Sequence, residues 1–216
     1  MVSEENKELG RRETNIKKVV NVALASFVKY GIEGAKVSEI ARVASLTERS
    51  VFRYFETKSD LVYAAALLFW DRVKKTVEKS GAKVQDSKKR GIEDIEDILN
   101  RYTNIYFDSY EQLIFVHEAE SYLYRSGKDL LVKNNVLSSF ETSLDPLALA
   151  IKKGLKDNSV RDDINLENIY LNTYDSLLGL MQKLAIRKSD DKEQVEAIKQ
   201  RLQDFCHTLT LSFKKA

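Results

Sequence analysis

The residues best equipped for chemistry are gathered in one short segment, TERSVFRYFETK from Thr47 to Lys58. It offers two guanidinium groups, carboxylates, hydroxyls and aromatic rings in about three helical turns. An arginine fork bonds bidentately to the O6 and N7 of guanine, a carboxylate accepts from cytosine N4, and an apolar ring covers a thymine methyl. Bond-making chemistry has much less support. The two histidines, His117 and His207, stand far apart, and no HExxH, GxSxG, P-loop or dinucleotide fingerprint occurs. His117 with Glu118 or Glu120 places two or three metal-type ligands on one helix, a weak signal for a metal. No catalytic residue, metal ligand or cofactor is expected.

The elements that must position this segment are legible around it. Residues 38–60, SEIARVASLTERSVFRYFETKSD, read as two short helices joined by a turn, followed by a capped start to another helix. Ile40, Ala41, Val43, Ala44, Leu46, Val51 and Phe55 are expected to be buried together. Thr47, Glu48, Arg49, Phe52, Arg53 and Tyr54 are then left outside, and a helix with such an outer face beside a tight turn fits the major groove of DNA. Glu48, Arg49, Ser50 and Phe52 are assigned to base edges, with Arg49 the principal reader. Glu48 has three readings: an acceptor for cytosine N4, a repulsion against wrong sequences, or a solvated carboxylate. Phe52 adjoins the core position Val51 and either packs inside or lies on a thymine methyl. Lys36, Thr47, Arg53, Tyr54 and Lys58 are assigned to phosphates, Lys58 in a first helical turn whose free amides favour an anion.

Charge distribution agrees. The net charge is only +2, but residues 11–58 hold ten Lys and Arg against five Glu. The remainder is slightly acidic, as expected if one end of the chain meets phosphates. A single proline and eight glycines argue against an all-β architecture, and one cysteine, Cys206, excludes an intrachain disulfide framework. The opening MVSEENKELGRR has no apolar core and does not read as a signal peptide. No run approaches the roughly 20 apolar residues of a membrane span. A cytoplasmic protein without membrane contact is expected.

Periodicity predicts an all-α fold of about nine helices, with no sustained strand alternation. The first helix is expected over 13–30, closed by Gly31, and the second over 37–44, with the turn at Ser45-Leu46. Thr47 caps the third, and the Thr57/Asp60 pair opens a fourth that runs to about 80. Residues 81–91 read as a loop, 92–110 and 111–125 as two helices, and 129–157 as a helical stretch that Asp145-Pro146 must break, kink or restart. A polar loop at 158–165 precedes the last two helices, 166–187 and 191–214.

The segment from about residue 13 to 66 resembles the tetracycline-repressor (TetR) family of one-component transcriptional regulators. The features that carry the resemblance are the run ending Phe27…Tyr30-Gly31, the pair Tyr54-Phe55, Lys58 three residues after Phe55, and Leu61. YDSLLGLMQKL with Gly179 is similar to one of the family's dimer-forming helices. The resemblance implies a DNA-binding head over 1–56 and a helical ligand-binding and dimerisation domain over 57–216. It further implies a homodimer on a near-palindromic double-stranded operator, released when a small-molecule effector binds the body. Three positions depart from the family pattern: Ser45 replaces the usual turn glycine, Arg49 a small residue, and Lys36 a capping hydroxyl residue.

Within the body, a mixed aromatic and polar face is expected to line the effector site. Its candidates are Tyr102 and Tyr106, then His117, Glu120 and Tyr124, then Asn172, Thr173 and Ser176. His117 and Glu120 form either a buried bonded pair or a ligand anchor. The apolar faces of the last two helices are wider than one packing partner needs. Leu177, Leu180, Met181 and Leu184, with Leu202, Phe205, Leu209 and Phe213, are assigned to an isologous four-helix seam. The competing reading is a protein-interaction or non-specific DNA-binding protein on the same scaffold.

Overall fold

In the computed structural model, residues 4–85, 88–128, 145–187 and 191–215 are described. Among them are nine helices: α1 Glu4–Gly34, α2 Val37–Val43, α3 Glu48–Tyr54, α4 Lys58–Gln85, α5 Gly91–Tyr102, α6 Asn104–Arg125, α7 Pro146–Lys156, α8 Leu166–Ala185 and α9 Lys192–Phe213. The only strand-like pairing among these residues is an isolated antiparallel bridge between Val160 and Lys214. None of these helices is long and apolar enough to cross a membrane. The fold is all-α, as the periodicity predicts.

The chain packs as two compact units. The first comprises Met1–Arg72 with Ile114–Lys133, the second Val73–Leu113 with Asn134–Ala216. In the first unit α1 packs on α2 and α2 on α3. Val19, Ala23, Leu24 and Phe27, spaced by three and four, form the buried stripe of α1, and Phe27 stacks on Phe115 at 5.9 Å between ring centroids. Gly31, the expected terminator of α1, has φ 71, a left-handed conformation that glycine enters without Cβ strain. One further helical turn follows it. At the other end α1 starts at Glu4, nine residues before the expected Glu13. Residues 6–14 are exposed, so no apolar stripe marks them in the sequence.

The start of α4 is a reciprocal cap. The amide of Thr57 donates to Asp60 at 2.9 Å and the amide of Asp60 donates back to Thr57 Oγ1 at 3.2 Å. Lys128, just past the end of α6, pairs with the same carboxylate.

The second unit is built on α5, which packs against α7 and α9, while α8 packs against α9. Gly91 opens α5 where no side chain fits: a Cβ there would lie 2.1 Å from the backbone nitrogen of Gly154. The amide of Gly91 donates to Asp157 at 2.7 Å and that of Ile92 to Ser159 Oγ at 3.1 Å, so the segment after α7 caps α5. Asp94, 1 % exposed, is paired with Lys153 at 2.6 Å. Tyr102 and Tyr174 both donate to Asp145, at 3.0 and 2.5 Å, and their oxygens lie 2.8 Å apart. The other carboxylate bond of Asp145 accepts the amide of Leu147, which makes it the N-cap of α7 with Pro146 at the first turn. Burial, followed by the neighbouring carboxylate or phenol, pushes both tyrosines well above the usual phenol range. They remain protonated donors.

Several expected boundaries move. The helix expected over 92–110 ends at Tyr102, where the Thr103 hydroxyl donates back to the carbonyl of Asn100 at 2.7 Å. The next break falls at Ser109, a non-helical residue inside α6 and close to the expected boundary. The loop expected at 81–91 is shorter, since α4 reaches Gln85. Of the stretch 129–157, residues 129–144 lie outside the described residues and the rest restarts as a helix at Pro146.

The Asp60 carboxyl is held below the usual aspartate value, first by Lys128 and then by Thr57. A depressed value stabilises the fold above the unfolded carboxyl value of about 3.9 and loses that contribution as pH falls through the folded value. Asp60→Asn is therefore expected to be less stable than wild type at pH 7, with the difference closing below about pH 3.9. Urea denaturation at several pH values measures it; a gap that persists unchanged into acid contradicts the assignment.

Candidate nucleic-acid interface

The interface is assembled from α2, the turn after it and α3. Val37, Ile40 and Ala41 fix α2 to the core, and Ala44 is its C-cap. The amide of Ser45 donates to the carbonyl of Arg42 at 3.0 Å, and that of Leu46 to Ala41 at 2.9 Å. This is a Schellman closure, and it requires a left-handed residue at position 45. Ser45 adopts φ 57 there. The chain then reverses directly into Thr47, whose side chain accepts from the amide of Ser50 at 3.1 Å and so caps α3. Lys36, at the N-cap of α2, makes no side-chain cap bond.

Val51, 1 % exposed, is the buried anchor of α3. Glu48, Arg49, Phe52 and Arg53 are all exposed, and their spacings of three and four place them on one outer face. Phe52 is 41 % exposed, so of its two readings the structure adopts the outer one. Ser50 is half-buried and its hydroxyl lies 2.8 Å from Thr47 Oγ1, which gives it a local partner at the cap. Val43 departs from expectation: it is 55 % exposed, because α2 buries positions 37, 40, 41 and 44 and turns 43 away.

Around this face stand the groups assigned to phosphates. Lys36, Thr47 and Arg53 are exposed. Lys58 donates to the carbonyl of Glu33 at 3.3 Å, near the end of α1, and keeps two further N–H donors. Tyr54 is half-buried; its hydroxyl accepts from Asn15 Nδ2 at 3.4 Å, and the Arg53 guanidinium lies 5.5 Å from its ring centroid. The Asn15 hydrogen bond, with Arg53 and Arg12 behind it, holds the Tyr54 phenol below its usual value. Asn15 and Arg12 lie outside the contact set expected from the sequence. Their only signal there is a basic pair, Arg11-Arg12, three and four positions before Asn15.

The effector candidates are distributed differently from expectation. His117, Glu120 and Tyr124 belong to the first unit; Tyr102, Tyr106, Asn172, Thr173 and Ser176 belong to the second. Leu113, Val116 and Leu123 are buried, whereas His117 is exposed and Tyr124 is 84 % exposed, so His117 and Glu120 do not form a buried pair. On α8 the buried line runs Tyr170, Thr173, Leu177, Met181, Leu184, and Asn172 and Ser176 fall on the opposite, exposed face. Thr173 donates to its own helix at the carbonyl of Ile169, and Tyr102 is committed to Asp145. Tyr106 is buried against Phe107. An open surface depression of about 750 Å³ in the second unit is lined by Arg161, Asp162, Asp163, Leu211, Lys214 and Lys215, none of them an effector candidate.

Most of the expected seam residues are also accounted for within one chain. Leu177, Met181, Leu184, Leu202 and Phe213 are at most 7 % exposed, and so have almost no surface to offer a second copy. The wide apolar face of α9 is explained by its two neighbours, α5 and α8. Leu180, Phe205 and Leu209 remain half-buried.

Comparison with known proteins bears on the head and on the whole fold separately. Residues 19–65 match the model of the bacterial regulatory proteins, tetR family. No curated protein sequence matches the chain. A Mesorhizobium loti protein assigned to the TetR family of transcriptional regulators superposes with a TM-score of 0.68 at 12 % identity, covering 95 % of this chain and 99 % of its own. SmeT, the repressor of the Stenotrophomonas maltophilia multidrug efflux pump SmeDEF, superposes at 0.57 and 14 % identity, covering 93 % and 90 %. The ketosteroid transcriptional regulator KstR2 of Mycobacterium tuberculosis superposes at 0.56 and 13 % identity, covering 93 % and 95 %. At such identities the likeness is one of fold.

Ser45→Gly removes a left-handed Cβ cost of roughly 1–2 kcal/mol and adds about 0.4–1 kcal/mol of unfolded-state entropy. The variant is expected to gain about 0.5–1 kcal/mol, read as a raised urea midpoint with unchanged slope. A lowered midpoint would contradict the turn geometry. Residues 19–65 thus match the tetR-family model, on a chain that shares the fold of solved TetR-family transcriptional regulators.

Proposed function

We propose that this chain is a DNA-binding transcriptional regulator, acting in the cytoplasm as a homodimeric repressor that leaves a near-palindromic operator when a small-molecule effector binds. The observation that carries the DNA-binding part is the exposed Glu48, Arg49, Phe52, Arg53 face on a helix fixed by its cap and its buried Val51. In this reading α3 enters the major groove. Arg49 holds a guanine, Phe52 meets a thymine methyl, and Glu48 and Ser50 complete the base-edge set. Lys36, Thr47, Arg53, Tyr54 and Lys58 hold the flanking phosphates. Residues 1–56 are the DNA-reading part, and 57–216 hold the effector and the dimer seam. Repression is supported by the fold shared with SmeT, the repressor of an efflux pump, and transcriptional regulation by that shared with KstR2, a ketosteroid transcriptional regulator; release by a small-molecule effector rests on the family resemblance.

The seam is proposed on the surface that α8 and α9 retain, with Leu180, Phe205 and Leu209 at its apolar part and Gly179 beside them. A Cβ on Gly179 meets nothing within 4 Å in one chain. Alanine at a helix interior is favoured over glycine by about 1 kcal/mol, so Gly179→Ala should stabilise a lone chain. At a close helix crossing the same methyl should weaken the dimer. Sedimentation of Gly179→Ala and Leu209→Glu across a concentration series is expected to show dissociation in both; dimers as tight as wild type place the seam elsewhere.

Salt-dependent titration against DNA from upstream of the protein's own coding region, with a scrambled control, tests the whole reading. Arg49→Ala is expected to cost about 1–3 kcal/mol on the cognate site and to relax one base pair. Lys36→Ala should weaken both DNAs alike and reduce the salt slope by about one. Equal wild-type binding to both DNAs would favour the non-specific or protein-interaction alternative.

A further inference from the structure

The α1 extension is the part of the head that the family match leaves unexplained. The match begins at residue 19, whereas α1 begins at Glu4, fifteen residues earlier, or about 22 Å of helix. Residues 6–14 are exposed throughout, including Leu9 at 56 %, so packing within the chain does not account for this stretch. An exposed helix of this length gains little stability from propensity alone.

Its sequence changes sign along its length. Glu4, Glu5 and Glu8 lie in the first turns, and Arg11, Arg12, Lys17 and Lys18 follow. The positive part is tied to the reading helix by the Asn15 bond to the Tyr54 hydroxyl. Arg12 and Arg11 precede Asn15 by three and four positions, so they share the side of α1 from which Asn15 reaches α3. The charge of Arg12 is felt at the Tyr54 phenol, which places it on the same side. Both arginines are exposed, and among the described residues no carboxylate pairs with either.

We infer that Arg11 and Arg12 form a second phosphate-binding element, gripping the DNA backbone beside the segment read by α3, with Asn15 and Tyr54 setting the position of α1 against α3. This rests on the DNA-binding reading above and extends its contact surface by one helix. The exposed carboxylate of Glu8 limits it, since a polyanion repels it, and contact begins at Arg11. Because the contacts are to phosphate, they add affinity without sequence preference.

The test compares the full-length wild type, Arg11→Gln/Arg12→Gln, Arg11→Lys/Arg12→Lys and Glu8→Gln on operator and scrambled DNA over a salt series. Each lost phosphate contact reduces the slope of log affinity against log salt by about 0.9, so the double Gln variant should lose about 1.8. Its affinity should fall by the same factor on both DNAs, leaving the specificity ratio unchanged. Its hydroxyl-radical footprint should lose protection at backbone positions flanking each half-site. The Lys pair should retain the wild-type slope, and Glu8→Gln should not weaken binding. A double Gln variant with wild-type slope and footprint overturns the inference while wild-type sequence preference preserves the DNA-binding reading. Wild-type protein that binds neither DNA overturns both.

Discussion

The reversal at Ser45-Leu46 determines where the rest of the head can point. A helix of seven residues is far below the length at which helices hold themselves together in water, so α3 depends on its ends and its anchor. The Schellman closure of α2 sets the exit direction, the Thr47 cap begins α3 two residues later, and Val51 fixes its rotation. With those three settled, Glu48, Arg49, Phe52 and Arg53 have only one side on which to lie. The strained φ at Ser45 is tolerated because the amides of Ser45 and Leu46 both gain bonds to the end of α2 from the chain turning there.

The second unit depends on a different economy of polar groups. A buried carboxylate is costly unless fully bonded. Asp145 accepts from two phenols and from an amide of its own helix, joining α5, α7 and α8 through one side chain. Asp94 with Lys153 repeats the device between α5 and α7. These bonds account for Tyr102, which, read along the sequence, resembles part of the lining of a ligand site.

Local chemistry was the legible part of the sequence. Gly31, the Thr47 cap and the Thr57/Asp60 pair could be read because each involves residues within a few positions of one another. The outer face of α3 could be read for the same reason. Periodicity was less reliable where two faces compete: on α8, Asn172, Thr173 and Ser176 look alike in the sequence, yet only Thr173 turns inward. Long-range partners gave no signal. Tyr102 meets Tyr174 across 72 positions and Asp145 across 43. The apolar width of α9 was visible, but its cause, simultaneous packing on α5 and α8, was not. The early start of α1 was hidden because an exposed polar helix carries no stripe.

The meeting of Gly91 and Gly154 has a mechanical consequence. Two backbones in contact, with amides of α5 held by Asp157 and Ser159, form a joint that leaves no room for one helix to slide along the other. The other end of α5, about 18 Å away along its twelve residues, is held as well, because Tyr102 donates to Asp145 at the start of α7. Between the two ends Asp94 pairs with Lys153. The pair is thus a clamped strut, fixed at both ends, and a force applied to one helix is passed whole to the other.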